Sequence, residues 1–145
     1  MMIDKILPGI EGSNEVLGMD YHAESKQLVA AYSNNTTVVW DTLSGDIVKT
    51  LESDRKTIEV KFSPDGSKVL GIEDYDINRS RIWVWSLETD LVGKLTLNVN
   101  QYSNSIGWIS DSLRVLYNRR NGIQFTAISE SETELRLVPG NIVNL

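Results

Sequence analysis

A ten-residue pattern occurs three times in the chain, and it constrains the fold more than any other feature. The copies begin at Tyr21, Phe62 and Trp108, at offsets of 41 and 46 residues, and read YHAESKQLVA, FSPDGSKVLG and WISDSLRVLY. Each copy opens with an aromatic residue, has an acid three positions later, and then has a turn residue and two aliphatic residues. A repeat of this period is typical of arrays in which each unit packs against the next.

Each copy predicts two strands joined by a tight turn. In the SPDG of the second copy, proline fixes φ, aspartate hydrogen-bonds to its own backbone and glycine accepts a positive φ. A third strand is predicted downstream, in TTVVWD, RIWVWS and GIQFTA, and a fourth in DIVKTL, LVGKLTL and ETELRLV. Four short strands per repeat are the pattern of a propeller blade.

Trp40-Asp41, Trp85-Ser86 and the FSPDG of Phe62 to Gly66 give the chain its family resemblance. Over nearly its full length the chain resembles WD40 repeat proteins, with degenerate repeats. The resemblance implies an all-β fold, a partial WD40-type β-propeller of about three four-stranded antiparallel blades plus terminal strands. We expect a single domain over residues 1–145, with blades at about 14–51, 56–97 and 103–138.

The repeats also depart from the family pattern. Family blades usually carry Gly-His before the first strand, and that histidine forms a hydrogen-bonded tetrad with a Ser/Thr, a loop Asp and the Trp. The only histidine here, His22, aligns instead with Ser63, and Asn34 stands where the loop Asp would be. We therefore expect blades held mainly by apolar packing, with the tryptophans in the core and Trp83 as the one candidate for an exposed contact.

The termini suggest an incomplete ring. IDKILPG near the start reads as a fourth strand without its blade, and GNIVNL, at Gly140 to Leu145, as a possible first strand of a further blade. Three blades cannot close a ring, because propellers have about four to eight. An open arc would expose apolar blade faces and unpaired edges. We expect closure by a larger chain or by homodimerisation.

Composition excludes several function classes. The net charge of -6 argues against nonspecific binding to nucleic acid or to an anionic membrane. There is no cysteine, so disulfides and thiolate metal sites are impossible. The N-terminus does not resemble a secretory signal, and no apolar run approaches the roughly 18 to 20 residues of a membrane span. These features predict a cytoplasmic, intracellular protein.

No catalytic constellation stands out. A single histidine and no cysteine exclude Cys-His nucleophiles and most histidine-rich metal sites. Asp74 with Asp76, and Glu130, Glu132 and Glu134, could form a glycosidase pair or a Mg²⁺ site, but solvated acids are the commoner explanation. No phosphate-binding glycine loop occurs. We predict a protein that is not an enzyme and has no catalytic residues, cofactor or metal.

In WD40 proteins, the loops between second and third strands share one rim with the loops between blades, and ligands often bind there. By that resemblance, the rim gathers arginine and tyrosine residues, which are enriched at interface hot spots. The candidate partner-binding residues on this rim are Arg55, Lys56, Tyr75, Asn78, Arg79, Tyr102, Arg119 and Arg120. The alternative is that they are ordinary solvated loop residues.

The sequence favours a non-enzymatic scaffold that binds a protein or peptide partner through its propeller faces. Two alternatives stay open: the structural repeat arm of a larger signalling ATPase-type protein, and a small oligomeric propeller lectin or enzyme.

Overall fold

A computed structural model describes residues 15–76, 79–97, 105–119 and 122–144 of the chain. This part forms twelve strands in three four-stranded antiparallel sheets. The first sheet contains β1 (Val16–His22), β2 (Gln27–Tyr32), β3 (Thr36–Asp41) and β4 (Ile47–Glu52). The second contains β5 (Thr57–Phe62), β6 (Lys68–Asp76), β7 (Arg79–Ser86) and β8 (Val92–Leu97). The third contains β9 (Ile106–Trp108), β10 (Arg114–Arg119), β11 (Gly122–Glu130) and β12 (Leu135–Asn144). The expected N-terminal strand, IDKILPG, lies outside the described residues.

The strand pairings repeat from sheet to sheet, as the ten-residue pattern predicts. The three leading aromatic residues occupy one position, because Tyr21 pairs with Leu28, Phe62 with Val69 and Trp108 with Val115. In the third strands, Trp40, Trp85 and Thr126 pair with those same three aliphatic residues. The predicted all-β, partial-propeller architecture with three equivalent four-stranded blades is therefore confirmed.

Two apolar layers lie between the sheets. The layer between the first two sheets is formed by Val29, Ala31, Val39, Val60, Phe62, Val69, Trp83 and Trp85. The layer between the second and third sheets is formed by Leu70, Ile72, Ile82, Val84, Leu97, Ile106, Val115, Tyr117, Leu135 and Leu137. The second sheet is thus buried on both faces, which explains why its third strand, RIWVW, reads as an apolar run rather than as an alternation.

Trp40, Trp83 and Trp85 lie in the core, whereas Trp108 is half-buried against it. The exposed position considered for Trp83 is therefore wrong. Trp83 is fully buried, and its Nε1 donates a hydrogen bond to Thr57 Oγ1 at 3.1 Å. Trp40, of the Trp-Asp pair, is also buried, and its Nε1 has no hydrogen-bond partner. His22 lies one row from Trp40, because it pairs with Gln27 and Trp40 pairs with Leu28. Its ring contacts Pro64 O of the next blade through Nε2, at 2.8 Å. Packing therefore holds Trp40, whereas Trp83 is held by packing and by its hydrogen bond to Thr57.

The C-terminal segment GNIVNL does not begin a new blade. It continues β12, whose Ile142 and Val143 pair with β11. The register shifts between Gln124 and Thr126, and the buried Gln124 side chain donates its Nε2 to Phe125 O and to Gly140 O, at 2.8 and 2.6 Å. The Gln124 side chain thus donates hydrogen bonds to two carbonyls at the bulge, where the backbone ladder is interrupted. With this support β12 continues beyond the bulge as the edge strand.

The two outward faces of the arc are only partly exposed. On the first sheet, Val38 and Trp40 are buried, whereas Met19 and Tyr21 on the same face are 68% and 48% exposed. On the third sheet, Phe125 is half-buried and Val138 is 47% exposed. We expected the outward blade faces of an open arc to expose apolar side chains. This expectation is wrong at the centre of the first sheet, but it holds at the first strand of that sheet and on the third sheet.

Candidate functional site

The blades have two ends, which differ in the connections they carry. Because neighbouring strands are antiparallel, the connections after the first and third strands of each blade lie at one end, which we call the turn end. The turn end consists of residues 23–26, 42–46, 63–67, 87–91, 109–113 and 131–134. The connections after the second and fourth strands lie at the opposite end, the loop end, which includes residues 33–35 and 53–56. The predicted rim belongs to the loop end.

Three of the predicted rim residues have described side chains, and all three are exposed at the loop end. Arg55 and Lys56 connect β4 to β5, and Arg79 begins β7. The backbone brings Lys56 and Arg79 together, because the amide of Asp74 donates to Lys56 O at 3.1 Å and Asp74 pairs with Ser80. Asn78, Tyr102 and Arg120 lie outside the described residues, as do the side chains of Tyr75 and Arg119. A binding role for the eight residues stays a prediction.

Beneath these cations lies a charged cluster that sequence reasoning missed. Arg81 donates from Nε to Glu73 Oε2 and from Nη2 to Asp54 Oδ1, both at 2.5 Å. Lys94 Nζ lies 3.7 Å from Asp54 Oδ1 and 3.7 Å from Glu73 Oε1. We call these four residues the loop-end ion cluster. Their two acids and two bases cancel, so the cluster adds no net charge to the surface.

Burial and proximity make the cluster a fixed feature of the loop end. The side chain of Glu73 is fully buried, that of Arg81 is 13% exposed, and that of Asp54 is 65% exposed. The hydrogen bond from Arg81 lowers the pKa of Asp54. Burial acts to lower the pKa of Arg81, but hydrogen bonds to Glu73 and Asp54 outweigh it and raise that pKa. Asp54 and Arg81 therefore stay ionised at neutral pH. Arg81 ties the connection that carries Arg55 and Lys56 to the sheet.

The sequence does contain a pattern that could have revealed the ion pair between Glu73 and Arg81. Glu73 follows Gly71 by two residues and Arg81 precedes Trp83 by two, so in the predicted hairpin an acid and a base continue an otherwise apolar face. Opposite charges directly across a strand pair stabilise each other. From the sequence alone, Glu73 and Arg81 could equally be solvated, because nothing in the sequence shows that this end of the face is buried.

Exposed acids accompany the cations, so the loop end is mixed in charge. Glu52 at the end of β4 and Asp74 in β6 are both exposed. Mixed charges of this kind orient a partner rather than attract every polyanion, because wrongly placed like charges are costly.

The turn end has a different chemistry. Its six turns carry eight acids and one base: Glu24, Asp46, Asp65, Glu88, Asp90, Asp111, Glu132, Glu134 and Lys26. Some of these acids cap their own turns. Asp65 Oδ1 accepts hydrogen bonds from the backbone N–H and the hydroxyl of Ser67, at 2.9 and 2.7 Å, and from the hydroxyl of Ser63 at 2.8 Å. Asp111 Oδ1 accepts one from Leu113 N at 2.9 Å.

Within the described part of the chain, no group of three or more potential metal-ligating side chains forms. Glu130, Glu132 and Glu134 are exposed, and the side chain of Asp76 lies outside the described residues. Glu130 Oε1 accepts a hydrogen bond from Thr89 of the neighbouring blade at 2.9 Å, which gives it a role in blade packing. Within the same residues, no helix is long and apolar enough to cross a membrane.

Comparisons with known proteins identify the architecture. No protein-family model matches the chain, and a comparison with curated proteins also gives no match. Among solved structures, the chain is similar to KlHsv2 with loop 6CD replaced by a Gly-Ser linker, at a TM-score of 0.73 and 19% identity. It is also similar to Kluyvelomyces marxianus Hsv2, at a TM-score of 0.73 and 16% identity. Each likeness covers 90% of this chain and 46% of that chain, so this chain spans less than half the length of these propellers.

Proposed function

We propose that this chain is part of a propeller-type interaction scaffold whose loop end binds an acidic segment of a protein partner. The observation that carries the proposal is the loop-end ion cluster. It uses the buried Glu73 and the bridging Arg81 to fix the connection on which Arg55 and Lys56 stand, with Arg79 beside them. The arc is completed by a longer chain or by a second copy, and its half-exposed end faces support that requirement.

The held connection favours this role over that of ordinary solvated loop residues, because Asp54, next to Arg55, is tied to Arg81. Binding to a mobile arginine or lysine loses side-chain and loop freedom, at roughly 0.5–1.5 kcal/mol for each immobilised side chain. A connection already tied to the sheet loses less on binding. The exposed acids Glu52 and Asp74 among the cations then select which acidic segment fits and in which orientation.

The test uses a fluorescently labelled Glu/Asp-rich peptide and measures its affinity by anisotropy at low and at physiological salt. The loop-end variant reverses three cations, Arg55→Glu, Lys56→Glu and Arg79→Glu. The matched control reverses three exposed cations elsewhere, Lys26→Glu, Arg114→Glu and Arg136→Glu, which changes the net charge equally.

We expect the loop-end variant to weaken binding by about tenfold or more and the control by less than about twofold. The melting temperature should change little in either variant, because surface substitutions usually shift stability by within about 0.5 kcal/mol. Equal losses in both variants would mean that only bulk charge matters. A wild-type chain that does not bind the peptide at low salt would also overturn the proposal.

A further inference from the structure

A cleft lies between the first and second blades at the turn end, opposite the loop end. Its volume is about 270 Å³. Both blades line it: Val39, Val48 and Lys49 come from the first sheet, and Asp65 and Glu88 come from turns of the second. Small-molecule and cofactor sites usually have roughly 300–1,000 Å³. The volume of the cleft lies just below this range, so we expect it to accommodate one side chain of a bound peptide.

The lining combines apolar walls with a surplus of negative charge. Val39 is fully buried, Leu87 is half-buried and Val48 is 44% exposed, so an apolar surface runs from the floor of the cleft to its mouth. Glu88 stands exposed at that mouth. A side chain that fits this lining has an aliphatic stem and a cationic head, as lysine and arginine do.

The one cation in the lining does not neutralise this charge. Lys49 Nζ forms an ion pair with Asp90 Oδ1 at 2.8 Å, and that hydrogen bond lowers the pKa of Asp90. Asp65 is held as a carboxylate, because burial acts to raise its pKa but the hydrogen bonds from Ser67 and Ser63 lower it to about 2. Lys49 is paired to Asp90, and the charge of the neighbouring Lys68 acts on Asp65, so the negative charge of the lining lies mainly at Glu88.

We propose that this seam cleft binds a lysine or arginine side chain of a basic peptide segment. The stem lies along Val39, Val48 and Leu87, and the head faces Glu88 and Asp65. The site is separate from the loop end, so the scaffold has two ends that take partners of opposite charge. Because the cleft is formed by two blades, an occupant also joins the first blade to the second.

The test measures the anisotropy of a labelled lysine-rich peptide and of the same peptide acetylated on every lysine, which keeps the stem length and removes the charge. Three variants separate the cleft from the general acidity of the turn end. Glu88→Gln removes the charge at the mouth, and Val48→Trp fills the cleft without changing charge. Glu134→Gln removes an exposed acid that does not line the cleft.

We expect the acetylated peptide to lose binding. Glu88→Gln should weaken binding by about fivefold, as for a partly exposed ion pair. Val48→Trp should weaken it by a similar factor or more, and Glu134→Gln by less than about twofold. If Glu88→Gln and Glu134→Gln weakened binding equally and Val48→Trp had no effect, the peptide would be attracted by the overall acidity of the turn end. That result would overturn the proposal that the cleft is the binding site. Tight binding of the acetylated peptide would overturn it as well.

The loop-end variant described above keeps the two proposals distinguishable. Reversal of Arg55, Lys56 and Arg79 should leave binding of the lysine-rich peptide undiminished, because those side chains lie at the other end of the strands. Likewise, Glu88→Gln should leave binding of the acidic peptide undiminished. Either proposal can therefore fail while the other stands.

Discussion

At the loop end of the second blade, Glu73 is turned inward and held by Arg81, whereas at the turn end the acids stand in the turns beside solvent. The loop-end contacts join residues far apart in sequence, such as Asp54 and Arg81. The turn-end contacts of Asp65 and Asp111 are mostly local and join each carboxylate to groups two residues away. One end is therefore organised by burial, and the other by turn chemistry.

This difference explains how an acidic chain can present cations at one end. The net charge of -6 describes the whole chain but not its surface. At the loop end, Glu73 and Asp54 form ion pairs with Arg81 and Lys94. The exposed cations Arg55, Lys56 and Arg79 therefore stand beside acids that are already paired, together with the exposed Glu52 and Asp74. At the turn end, a carboxylate that caps a backbone amide keeps its charge and adds it to the surface.

The most disruptive way to test this contrast is to break the loop-end ion cluster. Arg81→Met keeps an unbranched apolar stem but removes the guanidinium, and it leaves Glu73 buried with Lys94 Nζ at 3.7 Å. Removal of one partner of a buried pair typically costs about 3–5 kcal/mol, and we expect about 3 kcal/mol here because Arg81 is partly exposed. Urea unfolding should show a lower midpoint with an unchanged m-value.

A double variant is the control for this prediction. Glu73→Leu together with Arg81→Met replaces the pair by apolar side chains, which is often neutral or stabilising. The double variant should therefore recover most of the lost stability. A single Arg81→Met variant that costs less than about 1 kcal/mol would show that the cluster behaves as a surface ion pair.

A smaller effect is expected from the turn end, where backbone geometry matters more than charge. Gly66 has a φ of 76°, and a Cβ there would lie 2.7 Å from His22 Cε1. We expect Gly66→Ala to lower the free energy of unfolding by about 1–2 kcal/mol, because an L residue is strained at this φ. Thermal unfolding monitored by circular dichroism measures the loss.

The matched variant has the opposite sign. Lys26 occupies a turn of the first blade with a φ of 58°, and it is exposed. Lys26→Gly should stabilise the chain by about 0.5–1 kcal/mol, because glycine accepts that φ without strain. If Gly66→Ala and Lys26→Gly lowered the free energy of unfolding equally, the positive φ at these positions would not explain the effects of the substitutions.

The sequence predicted the blades well because each prediction rested on local chemistry. The aromatic residue, the capping acid and the turn residue all lie within five positions, and the same pairings recur at Tyr21, Phe62 and Trp108. The C-terminal segment was misassigned because its pairing depends on Gln124, whose side chain supports a bulge that no local pattern announces.

The candidate site was less predictable, because burial depends on neighbours distant in sequence. Glu73 reads as a solvated acid until β5, β7 and the connection at Asp54 are placed around it. The seam cleft likewise needs the first two blades packed together before Val48 and Glu88 can line one space. In both cases the residue types were visible, but the contacts that give them a role were not.

An effect of similar size to that of Lys26→Gly concerns the ionisation of Asp65, and it tests the same contrast through pH. Hydrogen bonds from Ser67 and Ser63 outweigh burial and lower the pKa of Asp65 from 3.8 to about 2. A lowered carboxyl pKa stabilises the fold above the unfolded-state value and ceases to do so as pH falls through the folded-state value. We expect the wild-type chain to exceed Asp65→Asn by about 1 kcal/mol at pH 7, a value reduced for the exposure of the turn. That difference should shrink as pH falls from about 4 to about 2.

Ser67→Ala, which removes the hydroxyl donor at 2.7 Å, should move this loss of stability to higher pH. Urea unfolding of the three proteins across this range measures the effect, and a difference between wild type and Asp65→Asn that stays constant down to pH 2 would contradict a turn held by the ionised carboxylate.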